Sequence, residues 1–243
     1  MSGPTSRRIE REITIDAPVD SVWKALTDAS ELTRWFPLRA TVSPGPGGVI
    51  HMAWDETYDA DSRIEIWEPG RHLRIGFPHH PPVLLATDYY LESEKGRTVL
   101  RVVTSGFGEG TDWDDWYAGV GSGWDFELRG LKHYLEHHRG ENRVVASARR
   151  PFHIDRSEAW TRLTGPEGWL ARTGFTGTEL HRTPLTQLVM TVQQHNNAIM
   201  RIELEPVGRH AIVWLAAWGV AQETVAGLAR EWPGSLSAAL EQS

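Results

Sequence analysis

Histidines and carboxylates stand at spacings that could do chemistry in four places along this 243-residue chain. His133 and His137 are one helical turn apart with Glu136 between them, a spacing that can hold a divalent metal. The apolar stripe of that segment, Trp124, Leu128, Leu131 and Leu135, leaves both imidazoles on the polar side near a helix end, where a cation complements the dipole. No metal is therefore expected. His79-His80-Pro81-Pro82 reads as a loop whose adjacent imidazoles cannot easily face one ion. Asp112, Asp114 and Asp115 interleave with Trp113 and Trp116 at the start of a helix, where acidic residues cap and offset the dipole. A carboxylate leaning into an apolar cavity there would have a raised pKa and could move protons. His51 and Asp55 share one face of a strand, opposite Ile50, Met52 and Trp54. In that phase they face solvent; in the other they would be the best acid/base pair in the chain, because a one-residue slip exchanges the two faces.

No nucleophile elbow, phosphate loop or dinucleotide fingerprint accompanies these residues. The absence of cysteine removes disulfides, thiolate metal sites and cysteine nucleophiles. A net charge of −7, from 25 Lys+Arg against 32 Asp+Glu, disfavours nucleic acid. No apolar run reaches the ~18 residues of a membrane span and no signal-peptide core is visible, so the expectation is a cytoplasmic protein without membrane insertion. Twelve tryptophans supply large apolar surfaces suited to cores and pockets.

The elements that must position these side chains follow from periodicity. Ile9, Ile13 and Ile15 alternate as a strand, with Arg11 breaking the phase. Asp16-Ala17-Pro18 opens a helix carrying Val19, Val22, Trp23 and Leu26 on one stripe, and a shorter helical piece runs over residues 30–36. Strands follow over residues 49–54 and 60–67, through the alternating set Leu73, Ile75 and Phe77, and over residues 83–92 and 97–107, joined by Gly- and Pro-rich turns as an antiparallel meander. In them Ile50, Met52 and Trp54, then Ile64 and Ile66, then Leu73, Ile75 and Phe77 point inward. Trp116, Val120, Trp124, Leu128, Leu131 and Leu135 mark a long helix ending near His138. Gly119, Gly121 and Gly123 either thin its front or precede a helix that begins near Ser122.

Residues 13–28, from Ile13-Thr-Ile-Asp-Ala-Pro18 through Trp23-Lys-Ala-Leu-Thr-Asp28, with Leu32-Thr-Arg-Trp-Phe36, closely resemble the opening of Activator of Hsp90 ATPase homologue-like domains, members of the SRPBCC (START/Bet v 1-like) superfamily. Ile66-Trp-Glu-Pro-Gly-Arg-His-Leu73, residues 96–107, and Gly123-Trp124 leading to residues 131–136 fit in the same order. The resemblance covers about residues 8–140 and implies an α+β helix-grip fold: a curved antiparallel sheet around a long C-terminal helix that closes a cavity. It does not fix a function, because this superfold hosts binding proteins, cyclases and co-chaperone domains.

Residues 141–243 read as a degenerate, shortened second copy after a domain at 1–140. Ala159-Trp-Thr-Arg-Leu-Thr164 mirrors Val22-Trp-Lys-Ala-Leu-Thr27, strand-like runs follow, and Val225, Leu228, Trp232, Leu236 and Leu240 form a closing stripe. One hairpin is missing, and Pro233 is expected to kink or break the last helix.

Three functions remain open. The leading one is binding of a small hydrophobic molecule in the grip of the first domain, without an assigned reaction or cofactor. The expected lining is Trp35, Phe36, Met52, Trp54, Ile64, Ile66, Phe77, Tyr89, Trp116, Val120 and Trp124, with Trp35-Phe36 at the mouth. A cyclase, dehydratase or hydrolase would need His51 and Asp55 to converge inside. A co-chaperone-like module for an unknown protein partner would instead present an exposed apolar patch.

Overall fold

The computed structural model describes residues 7–54, 59–78, 84–108, 110–205 and 208–241, with all their side chains except those at 78, 84 and 112. The chain divides into two compact units, residues 1–140 and 141–243.

The first unit runs β1 (Arg7–Ile15), α1 (Val19–Thr27), α2 (Ala29–Leu32), β2 (Arg39–Val42), β3 (Val49–Ala53), β4 (Asp59–Glu68), β5 (His72–Pro78), β6 (Leu84–Glu94), β7 (Arg97–Phe107) and α3 (Asp114–His137). Its seven strands form one antiparallel sheet in the order β1-β7-β6-β5-β4-β3-β2. The first strand therefore pairs with the last of the meander. The β6–β7 turn is tighter than the sequence suggested. Only Lys95 and Gly96 lie between the strands, both at positive φ, as a two-residue hairpin on right-twisted strands requires.

α1 buries Val22, Ala25 and Leu26, and Asp28 ends it while capping α2 by accepting from the N–H groups of Ser30 and Glu31 at 2.9 and 3.0 Å. α3 lies on the inner face of the sheet: the Trp124 indole donates to Thr104 of β7 at 3.0 Å, and Leu128, Leu131 and Leu135 are buried. The helix is continuous from Asp114, so Gly119, Gly121 and Gly123 are helical. A Cβ at Gly121 would stand 3.6 Å from the Arg11 guanidinium, an ordinary contact distance, and that guanidinium reaches from β1 to Asp125 of α3 at 2.7 and 3.1 Å. Arg11, out of phase by polarity, pairs with Val102 in the register of the inward residues and is neutralised there by Asp125.

Two sequence expectations need correction in this unit. Strict alternation predicts Ile66 inward with Ile64, but a bulge shifts the register between them, so Ile66 pairs with Arg74 and Trp67 with buried Leu73. The extra residue turns Ile66 to the outer face and Trp67 inward against Trp23, ring centroids 5.2 Å apart. His133, placed by the stripe on the polar side, is buried, because α3 also buries Phe126 and Gly130 on that side.

The second unit runs β8 (Arg143–Pro151), α4 (Arg156–Thr164), α5 (Trp169–Thr173), β9 (Glu179–Thr183), β10 (Gln187–Val192), β11 (Ala198–Leu204), β12 (His210–Trp218) and α6 (Gln222–Glu241). Its five-stranded order, β8-β12-β11-β10-β9, repeats the first unit with two strands fewer, and again the first strand pairs with the last. Trp23 and Trp160 are each the fifth residue of a nine-residue helix that follows a nine-residue strand. Four residues on, Thr27 and Thr164 donate back to their carbonyls at 2.7 and 3.0 Å. Pro233 does not break α6. It removes one N–H, while Trp232, Leu236 and Leu240, buried in the same core, hold both halves of the helix in line.

Candidate functional site

The inner face of the first sheet is set by its register. Thr87 pairs with Ile75 and Thr104, Tyr89 with Leu73 and Val102, and all six are buried. α3 brings Trp124 onto this surface, and the segment after α2 brings Phe36. The result is a connected aromatic set. Phe36 stacks on Trp124 (5.9 Å, interplanar 27°) and on Trp35 (4.9 Å, 16°), Trp54 meets Phe36 edge-on at 5.2 Å, and Tyr89 meets Trp124 edge-on at 5.9 Å. Offset and edge-to-face arrangements of this kind suit the quadrupoles of the rings.

Five of the expected lining residues, Trp35, Phe36, Trp54, Tyr89 and Trp124, thus touch one another in a chain. Met52 and Ile64 are buried, and Phe77, paired with buried Leu85, is half-buried. Trp116 and Val120 are half-buried on the two turns of α3 before Trp124. Trp35 is not a mouth residue: it is 2% exposed and its indole donates to the Ala25 carbonyl at 2.8 Å, so it backs Phe36 from the core. Ile66 faces away, as described above.

Within this apolar interior lie polar groups that the sequence reading missed. Trp124 Nε1–H donates to Thr104 Oγ1 at 3.0 Å, and Thr104 and Thr87 share a hydrogen bond at 3.1 Å. Tyr89 is 4% exposed, and its phenol makes no hydrogen bond among the described residues. Burial alone pushes its pKa well up from 10.0, so the phenol stays protonated at all physiological pH. The available signal was an inward-phase threonine in each of two adjacent strands.

The candidate acid/base groups fall elsewhere. His51 lies on the face opposite Ile50 and Met52, its Nδ1 2.8 Å from exposed Asp61. Asp55, its proposed partner, lies outside the described residues, as do His79, His80, Pro81 and Pro82. Asp114 pairs with Arg7 at 2.6 Å and caps nothing inside the grip. His133 and His137 have ring centroids 4.9 Å apart, yet no cluster of metal-ligating side chains occurs among the described residues. The outer sheet face instead carries a buried carboxylate: Asp88 accepts from Arg74 and lies 2.8 Å from His72 Nε2.

A buried hub holds α2 and α3 together behind the aromatic set. Glu31 accepts from Arg34 at 2.5 Å and from the Tyr134 hydroxyl at 2.7 Å, and the Gly140 N–H donates to the same hydroxyl at 3.0 Å. The phenol of Tyr134 is pushed up first by burial and then by the Glu31 hydrogen bond.

Comparisons with known proteins agree with this geometry. The family model described as Activator of Hsp90 ATPase homolog 1-like protein matches residues 16–136. No curated protein matches the sequence. Among solved structures, protein MLL2253 from Mesorhizobium loti superposes with a TM-score of 0.50 at 23% identity, covering 55% of this chain and 99% of its own. CalU16 from Micromonospora echinospora gives 0.46 at 26% identity over 54% of this chain and 77% of its own. DynU16, from the dynemicin biosynthetic locus, gives 0.49 at 18% identity over 96% of this chain and 98% of its own. No helix among the described residues is long and apolar enough to cross a membrane. The motifs at residues 13–36, 66–73, 96–107 and 123–136, the helix-grip topology and the matched family model agree: the first half of this chain belongs to the Activator of Hsp90 ATPase homologue-like family of the SRPBCC superfamily.

Proposed function

We propose that the first unit binds a small, uncharged hydrophobic molecule between α3 and the inner face of its sheet, and that the second unit is a shortened helix-grip copy in tandem with it. The observation that carries this reading is the aromatic chain Trp35–Phe36–Trp124–Tyr89, joined by Trp54, in which Trp35, Trp124 and Tyr89 are buried and Phe36 and Trp54 half-buried. It gathers aromatic rings from four separate places in the chain beside the polar Thr87–Thr104 pair. A core that needs only to be filled gains nothing from placing polar groups there, whereas a binding site uses a few such groups to orient a ligand. A catalytic reading has less support, because His51 stands on the opposite face of its strand. The reading takes the cytoplasm as its setting.

Titration of the intact protein with the uncharged probe N-phenyl-1-naphthylamine tests it. The expected result is saturable quenching of tryptophan emission with one probe bound per chain. Flat titrations with this and other chemically varied apolar probes would abandon the binding reading in favour of the protein-interaction module.

A further inference from the structure

Resting on that binding reading, we propose that Tyr89 is the specificity residue of the grip and that the ligand is a flat aromatic molecule carrying an uncharged acceptor oxygen of the carbonyl type, which receives the Tyr89 hydroxyl proton. The proposal follows from counting donors and acceptors on the inner face. Thr104 accepts from the Trp124 indole at 3.0 Å, and the single bond between Thr104 and Thr87 at 3.1 Å uses one of their two hydroxyl protons. One proton of that pair is left over from these bonds. Tyr89, two residues along the same strand and on the same face, has its whole donor capacity unused among the described residues at 4% exposure. Its oxygen is not one of the fully enclosed side-chain atoms that lack a partner, so the hydroxyl keeps an opening in an otherwise buried side chain. An acceptor on a bound molecule would complete the hydrogen bond that the protein leaves open there.

The charge of the ligand is bounded in the same way. Two cations of β1 reach α3: Asp125 holds Arg11 in a two-pronged pair at 2.7 and 3.1 Å, and Asp114 holds Arg7 at 2.6 Å. A carboxylate or phosphate would therefore meet no uncommitted cation there. Burial pushes the phenol of Tyr89 up, so it offers a proton and not a negative charge. Its shape is bounded by the rings. Phe36 and Trp124 stack on each other within 27° of parallel, and Trp54 and Tyr89 stand edge-on to them at 80° and 81°. A flat aromatic ligand can join such a set through offset and edge-to-face contacts.

The test uses two molecules that differ only by the oxygen: 9-fluorenone, a flat tricyclic ketone, and fluorene, its hydrocarbon parent. Each is titrated into the intact protein, wild type and Tyr89→Phe, with tryptophan quenching and calorimetry as readouts. The wild type is expected to prefer fluorenone on the order of tenfold, the ratio that one well-made buried hydrogen bond supports. Tyr89→Phe should bring the two ligands to near parity, chiefly by weakening fluorenone. The infrared carbonyl stretch of bound fluorenone should lie below its value in hexane in the wild type and return towards it in Tyr89→Phe. Thr87→Val, which keeps the shape of its side chain, should retain most of the preference and provides a second variant should Tyr89→Phe fail to fold. Equal wild-type affinity for the two molecules, or a fluorenone preference that survives Tyr89→Phe, would overturn the assignment of Tyr89 while leaving a hydrophobic binding site in place. Failure of both molecules to bind would overturn the assignment together with the binding reading beneath it.

Discussion

The two units of this protein share one order of elements but use the space under their closing helices differently. In the first, seven strands carry an inner face where Thr87, Thr104 and Tyr89 interrupt the apolar surface, and α3 approaches it through a segment holding three glycines. In the second, five strands face α6 with Met190, Met200, Val213 and Leu215, and Trp232 fills the middle against Trp169 at 5.7 Å and Phe175 at 6.5 Å. The polar partner of Trp169 comes from α6 itself, where Ser235 accepts its indole N–H at 2.9 Å. Removing one hairpin shortens the concave surface, and bulky side chains then suffice to fill it. If the first unit binds a ligand as proposed, the shared order of elements permits a binding site without requiring one. What separates the halves is the placement of hydroxyls and glycines.

The largest effects should come from the shared feature, the buried helix face. Leu128→Asp in α3 and Leu236→Asp in α6 each bury an unpaired charge, since the two leucines are 3% and 0% exposed. Each should cost several kcal/mol and abolish the cooperative melting of its own unit, read by calorimetry. Melting of either variant near the wild-type temperature would contradict the packing described.

Trp232→Ala sharpens the contrast. Truncating a ring that fills the second core should cost about 3–5 kcal/mol in that unit. A loss under 1 kcal/mol would mean that the second unit is as open as the first is proposed to be. At Gly123, by comparison, a Cβ meets nothing within 4 Å. Gly123→Ala should stabilise the first unit by up to about 1 kcal/mol through helix propensity. Gly123→Leu should leave folding intact while weakening probe uptake. Destabilisation by Gly123→Ala would show that the space beside the helix is already filled.

These contrasts were legible in the sequence to different degrees. The order of elements could be read because α3 and α6 carry sustained apolar stripes and the strands alternate between turns with distinct chemistry. The matching openings of the two units were visible in Trp23-Lys-Ala-Leu-Thr27 and Trp160-Thr-Arg-Leu-Thr164, whose threonines make the same backbone contact. Ile66 was misplaced because a bulge inserts a residue without a glycine or proline to announce it. Arg11 looked like a phase error because its compensating charge, Asp125, lies 114 residues away and only the fold brings them together. The hydroxyls of Thr87 and Thr104 were overlooked for a simpler reason: threonine suits strands by shape, and its polarity counts only once the face is known to be buried. β10 hides its inner face altogether, being apolar and buried at every position from Leu188 to Val192 apart from Thr191, which is buried too.

The smallest expected effects are in the pH dependence, and they run in opposite directions. All five tyrosines belong to the first half of the sequence. Tyr89 and Tyr134 have pKa values raised in the folded state, so their contribution is complete below pH 10.0 and is lost as pH rises through the folded values. The first unit should therefore weaken at strongly alkaline pH, and Tyr134→Phe should reduce that slope. In the second unit His195 is lowered from 6.5 by burial, so its contribution is present above pH 6.5 and is lost as pH falls through the folded value. Melting followed from pH 5 to pH 11 should show the first unit losing stability at the alkaline end. An alkaline slope unchanged by Tyr134→Phe would remove this part of the contrast.

Nuclear magnetic resonance of the intact protein titrated with 9-fluorenone addresses the central claim, a ligand site in the grip of the first unit alone, most directly. The account predicts saturable shifts at the Trp124 indole N–H and the backbone amides of Phe36, Thr87, Tyr89 and Thr104, with the resonances of Trp169, Met190, Met200 and Trp232 unmoved. Shifts centred on the second unit, or a spectrum unchanged at saturating ligand, would contradict it.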